Sequence, residues 1–152
     1  VVRRYMSDRA VYLERATGEQ LADVEALLEA NDLPAVDVQD DVAEFYAAFD
    51  DGDVVGIGGL EFHADAALLR SLVVRDAVRG RGYGTVICDA LEREALDRGV
   101  DAIYLLTTTA SSFFADRGYD DVDRSEVPAV LRETTQFADL CPTSATCMRK
   151  QA

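Results

Sequence analysis

The spacing of apolar residues predicts a strand followed by helical segments at the start of the chain. Val11–Ala16 alternates between apolar and polar residues, as a half-buried strand does, whereas Gly18–Ala30 places its apolar residues at helical spacing. Thr17 and Gln20 have the spacing of a capping box at the beginning of that helix. A short second helix is predicted over Val38–Ala43, so the order of elements begins β-α-α.

The middle of the chain predicts a hairpin and a buried strand. Two alternating segments, Glu44–Phe49 and Val54–Phe62, flank an Asp-Asp-Gly-Asp sequence at positions 50–53. An Asp-Gly pair between two such segments favours a tight hairpin turn. Ala67–Val74 is almost continuously apolar, which is typical of a strand that is buried on both faces.

The rest of the chain predicts alternating helices and strands. The expected elements are a helix over Gly82–Arg98, a strand over Asp101–Thr107, a helix over Ser111–Arg117, a strand over Tyr119–Arg124, a helix over Pro128–Asp139 and a strand over Thr143–Lys150. Hairpins come first, and a crossover helix then leads to a parallel neighbour. This order predicts one α/β domain over residues 1–152, with a mixed, mostly antiparallel sheet flanked by helices. Residues 1–10 are expected to be a loose N-terminal extension.

Composition favours a globular chain without membrane segments. Of the 152 residues, 49% are hydrophobic and 8% are aromatic, which suffices for one buried core. No stretch of about 18 apolar residues occurs, so no membrane span is expected. No apolar segment follows the N-terminal arginines, so a signal peptide is not expected either. These features predict a cytoplasmic protein.

An excess of acidic residues limits the partners to be expected. The chain has 29 Asp and Glu against 15 Lys and Arg, for a net charge of −14. Such a surface repels nucleic acid and anionic membranes. It is interpreted either as adaptation to a salt-rich cytoplasm, where salt screens the repulsion between carboxylates, or as a surface for a specific basic partner. The 3 cysteines form no Cys-x-x-Cys pair, so neither a disulfide framework nor a metal site is expected.

A glycine-rich turn carries the strongest chemical signal. After the buried strand the chain reads Arg79-Gly80-Arg81-Gly82-Tyr83-Gly84-Thr85 and then opens a helix. Glycines let backbone N–H groups approach an anion, and a helix N-terminus adds partial positive charge. The spacing is neither that of a Walker A loop nor that of the dinucleotide fingerprint. The turn predicts a phosphate or pyrophosphate site, with a plain packing turn as the alternative.

Two motifs resemble those of the GNAT acetyltransferases. Arg79-x-x-Gly82-x-Gly84 is similar to the family's pyrophosphate-binding motif, R/Q-x-x-G-x-G/A. Ser112-Phe113-Phe114-Ala115-Asp116-Arg117-Gly118-Tyr119 resembles its later motif, aromatic-x-x-x-Gly-aromatic. The resemblance covers about Tyr12 to Arg149. It implies a GNAT fold, an acyltransferase activity and acetyl-CoA as cosubstrate, and homodimers are common for this fold.

The resemblance also implies where acetyl-CoA would lie. The strands Ala67–Val74 and Asp101–Thr107 should diverge at their C-terminal ends, with pantetheine in the gap. There it would pair with the backbone of Leu72, Val73 and Val74. The acetyl thioester would then point toward Arg70–Leu72 and Thr107–Thr109. Phe114 would contact the cofactor from the position where many family members carry a tyrosine as general acid, so the acid is unassigned.

A finer resemblance concerns the acceptor. Tyr104–Thr109, the aromatic motif and Val127-Pro128 look like the acetyltransferase domain of N-acetylglutamate synthases. Glu126–Met148 resembles arsenic-resistance N-acetyltransferases more closely still. Both imply a small, anionic, glutamate-like amino acid as acceptor, and the second adds its arsinic or phosphinic analogues.

Several side chains are candidates for holding such an acceptor. Arg70 stands in an otherwise apolar strand, where a ligand carboxylate would explain a buried charge; a salt bridge or an edge position is the alternative. Ser71 could donate to the α-carboxylate, and Thr107 ends the neighbouring strand. Arg132 is a second candidate clamp, with a solvated helix face as the alternative.

The base that deprotonates the acceptor is predicted among two residues. Glu61 and His63 lie near the end of one strand, and either could act through water. Two other functions are compatible with the sequence. One is an acetyl-CoA-binding module without catalysis, which Phe114 favours, and the other is acetylation of protein N-termini or lysines.

Overall fold

The computed structural model describes residues 2–6, 10–31, 43–108, 110–132 and 145–151. The strands in this part of the chain are β1 (Val2–Met6), β2 (Ala10–Arg15), β3 (Glu44–Asp50), β4 (Asp53–His63), β5 (Ala66–Val74), β6 (Ala102–Thr107), β7 (Asp120–Asp121) and β8 (Thr146–Gln151). The α-helices are α1 (Glu19–Ala30), α2 (Tyr83–Asp97), α3 (Ser111–Asp116) and α4 (Ala129–Arg132).

All eight strands form one sheet in the order β1-β2-β3-β4-β5-β6-β8-β7. Neighbouring strands are antiparallel except β5 and β6, which are parallel. The mixed, mostly antiparallel sheet predicted from the sequence is therefore confirmed. The N-terminal residues differ from the expected loose extension, because Val2–Met6 pair with Ala10–Glu14 of β2.

The two faces of the sheet are covered by different helices. On one face, Ile87 and Leu91 of α2 pack in a core cluster with Leu60 and Leu69 of the central strands. On the other face, Leu28 of α1 belongs to a separate cluster, and Leu131 of α4 to a third. Because successive strand residues point to opposite faces, one sheet serves all three clusters. Among the described residues, no helix is long and apolar enough to cross a membrane.

The β3–β4 hairpin turns as its sequence predicts. Asp51 and Gly52 have φ angles of 54° and 84°, so both central residues are left-handed, which is the conformation that two-residue hairpins favour. At the start of α1 only half of the capping box forms. The backbone N–H of Thr17 donates to Oε1 of Gln20 at 3.2 Å, while no side chain caps the helix, whose N-cap residue is Gly18.

One of the C-terminal strands is shorter than predicted. The strand expected over Tyr119–Arg124 is only Asp120–Asp121, after which a 3₁₀-helix forms over Arg124–Glu126. Aspartate is disfavoured in strands, which accounts for the short pairing. The helix begun at Ala129 is described only as far as Arg132. Most of the predicted helix over Val38–Ala43, the end of the helix predicted to Asp139, and the start of the last strand lie outside the described residues.

Candidate active site

The parallel strands β5 and β6 separate along their length. They pair over Ala66–Leu68 and Ala102–Tyr104. Beyond that point β5 continues to Val74 and β6 to Thr107 without pairing to each other. The predicted divergence is confirmed, and it leaves a gap across which no strand among the described residues pairs with this part of β5.

A β-bulge in β5 accompanies the gap. Opposite β4, Arg70 pairs with Gly59 and Val73 pairs with Ile57, so two residues of β5 stand against one of β4. The first of them, Ser71, has φ of 59°, a left-handed conformation that costs a residue with a side chain about 1–2 kcal/mol. Sequence reasoning missed this bulge, since Ser71 gives no sign of it.

Gly56 allows β4 to approach β5 closely beside the bulge. A Cβ atom on Gly56 would lie 2.6 Å from the carbonyl oxygen of Val73 and 2.7 Å from Cδ1 of Ile87. Neither the strand backbone nor a fully buried side chain can yield that much space. The Gly-Ile-Gly-Gly sequence of β4 was the available signal for this close packing.

Four polar side chains form a hydrogen-bonded row next to the gap. Nε2 of His63 lies 3.0 Å from Oε1 of Glu61. Nη1 of Arg70 donates to Oε2 of Glu61 at 2.9 Å, and its Nε donates to Oγ of Ser71 at 3.1 Å. We call these residues, His63, Glu61, Arg70 and Ser71, the polar row. It lies on the sheet face that carries α1 and α4, between their apolar clusters.

The middle of the polar row is deeply buried and its ends are accessible. The side chains of Glu61 and Arg70 are each 1% exposed, whereas that of His63 is 20% exposed. The guanidinium carbon of Arg70 also lies 5.3 Å from the centre of the Phe45 ring. Ser71 is half-buried. The buried charges compensate each other, and the groups open to a ligand are the imidazole and the hydroxyl.

The geometry corrects the role expected for Arg70. A guanidinium clamp for a ligand carboxylate was the expectation, with a salt bridge as the alternative. The structure gives the salt bridge, because Glu61 occupies the guanidinium and both groups are shielded from solvent. His63 stands level with Ala66, roughly 16 Å along β5 from Ser71 at about 3.3 Å per residue. Glu61, level with Leu68, is the nearer of the two candidate bases.

The glycine-rich turn forms a loop that ends on α2. A 3₁₀-helix over Asp76–Val78 follows β5, and Gly80 and Gly82 then take left-handed φ angles of 81° and 86°. Gly82 is the N-cap of α2, and in the part of the chain that the structure describes no side-chain hydrogen bond caps this helix. The first N–H groups of α2 therefore remain available to an anion.

Some side chains of the loop are exposed to solvent and others are buried in the fold. Arg79, Arg81 and Thr85 are exposed. Tyr83 is buried, and its hydroxyl donates to the carboxylate of Asp50 at the end of β3. The Tyr83 ring therefore anchors the loop, and only the backbone of Tyr83 can face a cofactor. A Cβ on Gly84 would meet Val74 and Phe113 at 3.7 and 3.8 Å, so this position is closely packed without being strained.

The remaining candidate residues are less accessible than expected. Phe114 is 5% exposed and lies edge-on to both Phe113 and Tyr119 in the core. Oγ1 of Thr107 accepts the backbone N–H of Ala110 at 3.0 Å, which ties down the turn after β6. Phe113 is thus the aromatic residue beside the start of α2.

The candidates in β5 are at least half-buried, whereas the candidate in α4 is exposed. Val73 is buried in the α1 cluster, while Leu72 and Val74 are half-buried against the α2 cluster. Arg132 is exposed at the last described residue of α4. The structure does not bring Arg132 into contact with the polar row in the part of the chain that it describes.

A second polar cluster lies under α2 and was not predicted. Glu92 accepts hydrogen bonds from Tyr119 at 3.0 Å and from Lys150 at 3.0 Å, and it lies 3.3 Å from Arg117. Burial alone would raise the pKa of Glu92, but the hydrogen bond and charge of Lys150 and the charge of Arg117 lower it overall. Burial, followed by the Glu92 charge, raises the pKa of the Cys88 thiol to about 12. This thiol is consequently protonated and inert at neutral pH.

Metal ligation finds no support in this arrangement. Within the described ranges, no three His, Cys, Asp or Glu residues are grouped so that they could hold a metal ion. What the geometry provides is a glycine-containing loop at the start of α2, a gap between two strands, and a buried carboxylate on the strand next to β5.

Two proteins of related sequence and one solved structure are similar to this chain. An amino-acid acetyltransferase of Mycobacterium tuberculosis is 33% identical over 81% of this chain and 70% of its own length. An uncharacterized N-acetyltransferase of Chlorobaculum tepidum is 28% identical over 70% of this chain and 66% of its own. The N-acetylglutamate synthase of Neisseria gonorrhoeae, in complex with coenzyme A and N-acetyl-glutamate, superposes with a TM-score of 0.79 at 20% identity. It covers 93% of this chain, which spans 35% of that protein.

A comparison with protein-family models shows the family to which the chain belongs. The acetyltransferase (GNAT) family model matches residues 10–119, which include β2, the diverging strands, the glycine-rich loop and the aromatic motif. The chain therefore belongs to the acetyltransferase (GNAT) family.

Proposed function

We propose that this acetyltransferase moves the acetyl group of acetyl-CoA to the amine of a small, glutamate-like amino acid. The observation that carries the proposal is the polar row, which links a buried carboxylate through Arg70 to a partly accessible hydroxyl at the point where β5 has separated from β6. The similarity to a relative named as an amino-acid acetyltransferase supports an amino acid as the acceptor.

In this proposal acetyl-CoA spans the gap and the loop. The pyrophosphate contacts the N–H groups at the start of α2 and the exposed guanidiniums of Arg79 and Arg81. Pantetheine pairs with the backbone of Leu72–Val74 along the edge that faces the gap, as a short added strand would. The thioester then lies at the bulge, next to Ser71.

Glu61 and His63 together serve as the base. The acceptor ammonium gives a proton through water to Glu61, and the free amine attacks the thioester carbonyl carbon. A proton resting on Glu61 would neutralise its half of the buried ion pair with Arg70, which is costly. It therefore passes to His63, which is hydrogen-bonded to Glu61 and reaches solvent. Arg70 holds the carboxylate in place and does not contact the acceptor.

The leaving group needs little help from an acid. As the carbon–sulfur bond breaks, CoA departs as a thiolate whose acid resembles cysteine, with a pKa of about 8.5, and the second proton of the attacking nitrogen is lost to solvent. In this proposal a backbone N–H at the bulge donates to the developing oxyanion. Phe114, at the position of the family's usual tyrosine, then fills the core rather than acting as an acid.

The acceptor is held by its acid groups. Because Arg70 donates to Oγ of Ser71, the hydroxyl proton of Ser71 is directed elsewhere and can bond the α-carboxylate of the acceptor. Arg132 would pair with the side-chain acid group. A carboxylate, a phosphinate or an arsinate fits this requirement equally well, so organoarsenical and phosphinic glutamate analogues belong to the same proposed class.

The two functions of Ser71 can be separated by a pair of variants. Ser71→Ala and Ser71→Gly both remove the hydroxyl, and each should raise the KM for the acceptor about tenfold or more, since a hydrogen bond to a charged group is lost. Only glycine relieves the left-handed backbone, so Ser71→Gly should be about 1 kcal/mol more stable than Ser71→Ala.

Urea unfolding and steady-state kinetics on the same samples test this pair. Ala64 provides the control, because its φ is 52° in the β4–β5 turn. Ala64→Gly should gain stability without a change in acceptor KM. An acceptor KM that stays at the wild-type value in both Ser71 variants would remove Ser71 from the acceptor site.

The proposed function is tested by thiol release from acetyl-CoA with a panel of acceptors. The panel contains glutamate, aspartate, phosphinic and arsinic glutamate analogues, and a lysine peptide. Molar potassium chloride is included because a chain of net charge −14 requires screening of its own repulsion. Turnover confined to glutamate-like acceptors is the expected result. Turnover on the lysine peptide alone, or acetyl-CoA binding without turnover on any acceptor, would contradict it.

A further inference from the structure

The guanidinium of Arg79 is held by three groups that differ in charge. Its Nε donates to the carbonyl oxygen of Val74 at 3.0 Å, and its Nη2 donates to Oδ1 of Asn31 at 2.6 Å. Its Nη1 lies 2.7 Å from Oδ1 of Asp76. Two of these partners are neutral, and one is a carboxylate that offsets the positive charge.

Asn31 is itself fixed at the end of α1. It is the only asparagine in the chain and the C-cap residue of that helix. Its Nδ2 donates to the carbonyl oxygen of Leu27 at 2.9 Å. Its backbone N–H donates to the carbonyl oxygen of Leu28 at 3.1 Å. With the amide nitrogen satisfied inside α1, the amide oxygen is the atom directed at Arg79.

We propose that Asn31 is a positioning residue for acetyl-CoA, which holds Arg79 at the glycine-rich loop without reducing its charge. The inference rests on the proposed function, in which Arg79 meets the pyrophosphate. An amide oxygen orients a guanidinium but leaves its full positive charge for an anionic ligand. Asp76, whose side chain is 84% exposed, acts in the opposite sense, because its carboxylate competes with phosphate for the same nitrogen.

A pair of isosteric variants distinguishes these two roles. Asn31→Asp keeps the shape of the side chain but turns the contact into an ion pair, so the dissociation constant of acetyl-CoA should rise about fivefold. Asn31→Ala, which loses orientation only, should raise it about twofold. Asp76→Asn removes the competing carboxylate and should lower it about twofold. Gln151→Glu adds the same charge at the exposed end of β8 and should leave it unchanged.

Isothermal titration calorimetry of the four variants with acetyl-CoA, at one potassium chloride concentration, gives these constants directly. The value of kcat and the acceptor KM should not change, since Asn31 touches neither the acceptor nor the thioester. Unfolding midpoints measured in parallel identify any loss of α1, and Asp76→Asn does not depend on that helix. Equal affinities of Asn31→Asp and wild type for acetyl-CoA would overturn this inference but not the proposed function. Failure of the wild-type chain to bind acetyl-CoA would overturn the proposed function as well.

Discussion

Replacing Glu61 by glutamine should both destabilise the protein and abolish its activity. The variant breaks the buried ion pair between Glu61 and Arg70, which typically costs about 3–5 kcal/mol. It also removes the proposed proton acceptor, so kcat should fall by about 10²–10⁴-fold. Denaturant unfolding and thiol-release kinetics measure the two effects separately.

A double variant separates the structural part of this loss from the catalytic part. Glu61→Leu with Arg70→Met replaces the buried pair by apolar residues of similar size, a change that is often neutral or stabilising in other proteins. The double variant should therefore recover most of the stability lost in Glu61→Gln while remaining inactive. Recovery of activity together with stability would show that Glu61 is not part of the base.

The second large effect is expected at Glu92. In Glu92→Gln, Lys150 and Arg117 lose their shared anionic partner under α2, and we expect a loss of about 2 kcal/mol at neutral pH. The folded-state pKa of Glu92 is lowered from the ordinary value of 4.5. Its stabilising contribution is thus complete above that value and disappears as the pH falls through the folded-state pKa.

The difference in stability between wild type and Glu92→Gln should consequently be constant near neutral pH and shrink below about pH 4.5. Urea unfolding from pH 3.5 to 7.5 measures it. Asp89→Asn is the matched control, since Asp89 contacts the same Arg117 but has a side chain that is 57% exposed. Its loss should be below about 1 kcal/mol. A pH-independent difference for Glu92→Gln would show that packing rather than charge holds this cluster.

Local signals explain which parts of the fold were predictable. Ala67–Val74 is almost continuously apolar, and Asp51-Gly52 has the residues that a primed turn demands, so both were identified correctly. The position of the glycine-rich turn could be predicted equally well, because the left-handed φ angles at Gly80 and Gly82 favour glycine. In each case a single short segment determines its own conformation.

Features that depend on distant partners were not predictable in the same way. Whether Arg70 meets a ligand or Glu61 depends on the register between β4 and β5, which sequence spacing does not fix. The bulge at Ser71 comes from that register as well. Glu92 gathers Tyr119 and Lys150 from separate elements, and the end of the short strand β7 depends on its pairing with β8. These contacts form only when the tertiary structure is complete.

The ion pair between Lys150 and Glu92 has a consequence for self-modification. Lys150 is the only lysine of the 152 residues, so it carries the only lysine side-chain amine that acetyl-CoA could acetylate on this chain. Its Nζ donates to Oε1 of Glu92 at 3.0 Å, and an ammonium engaged in this way has no lone pair with which to attack a thioester. A protein that works beside an acyl donor thereby exposes almost no lysine nucleophile of its own. Amine-directed coupling to a surface or a dye would, for the same reason, act on Lys150 only by breaking the cluster under α2.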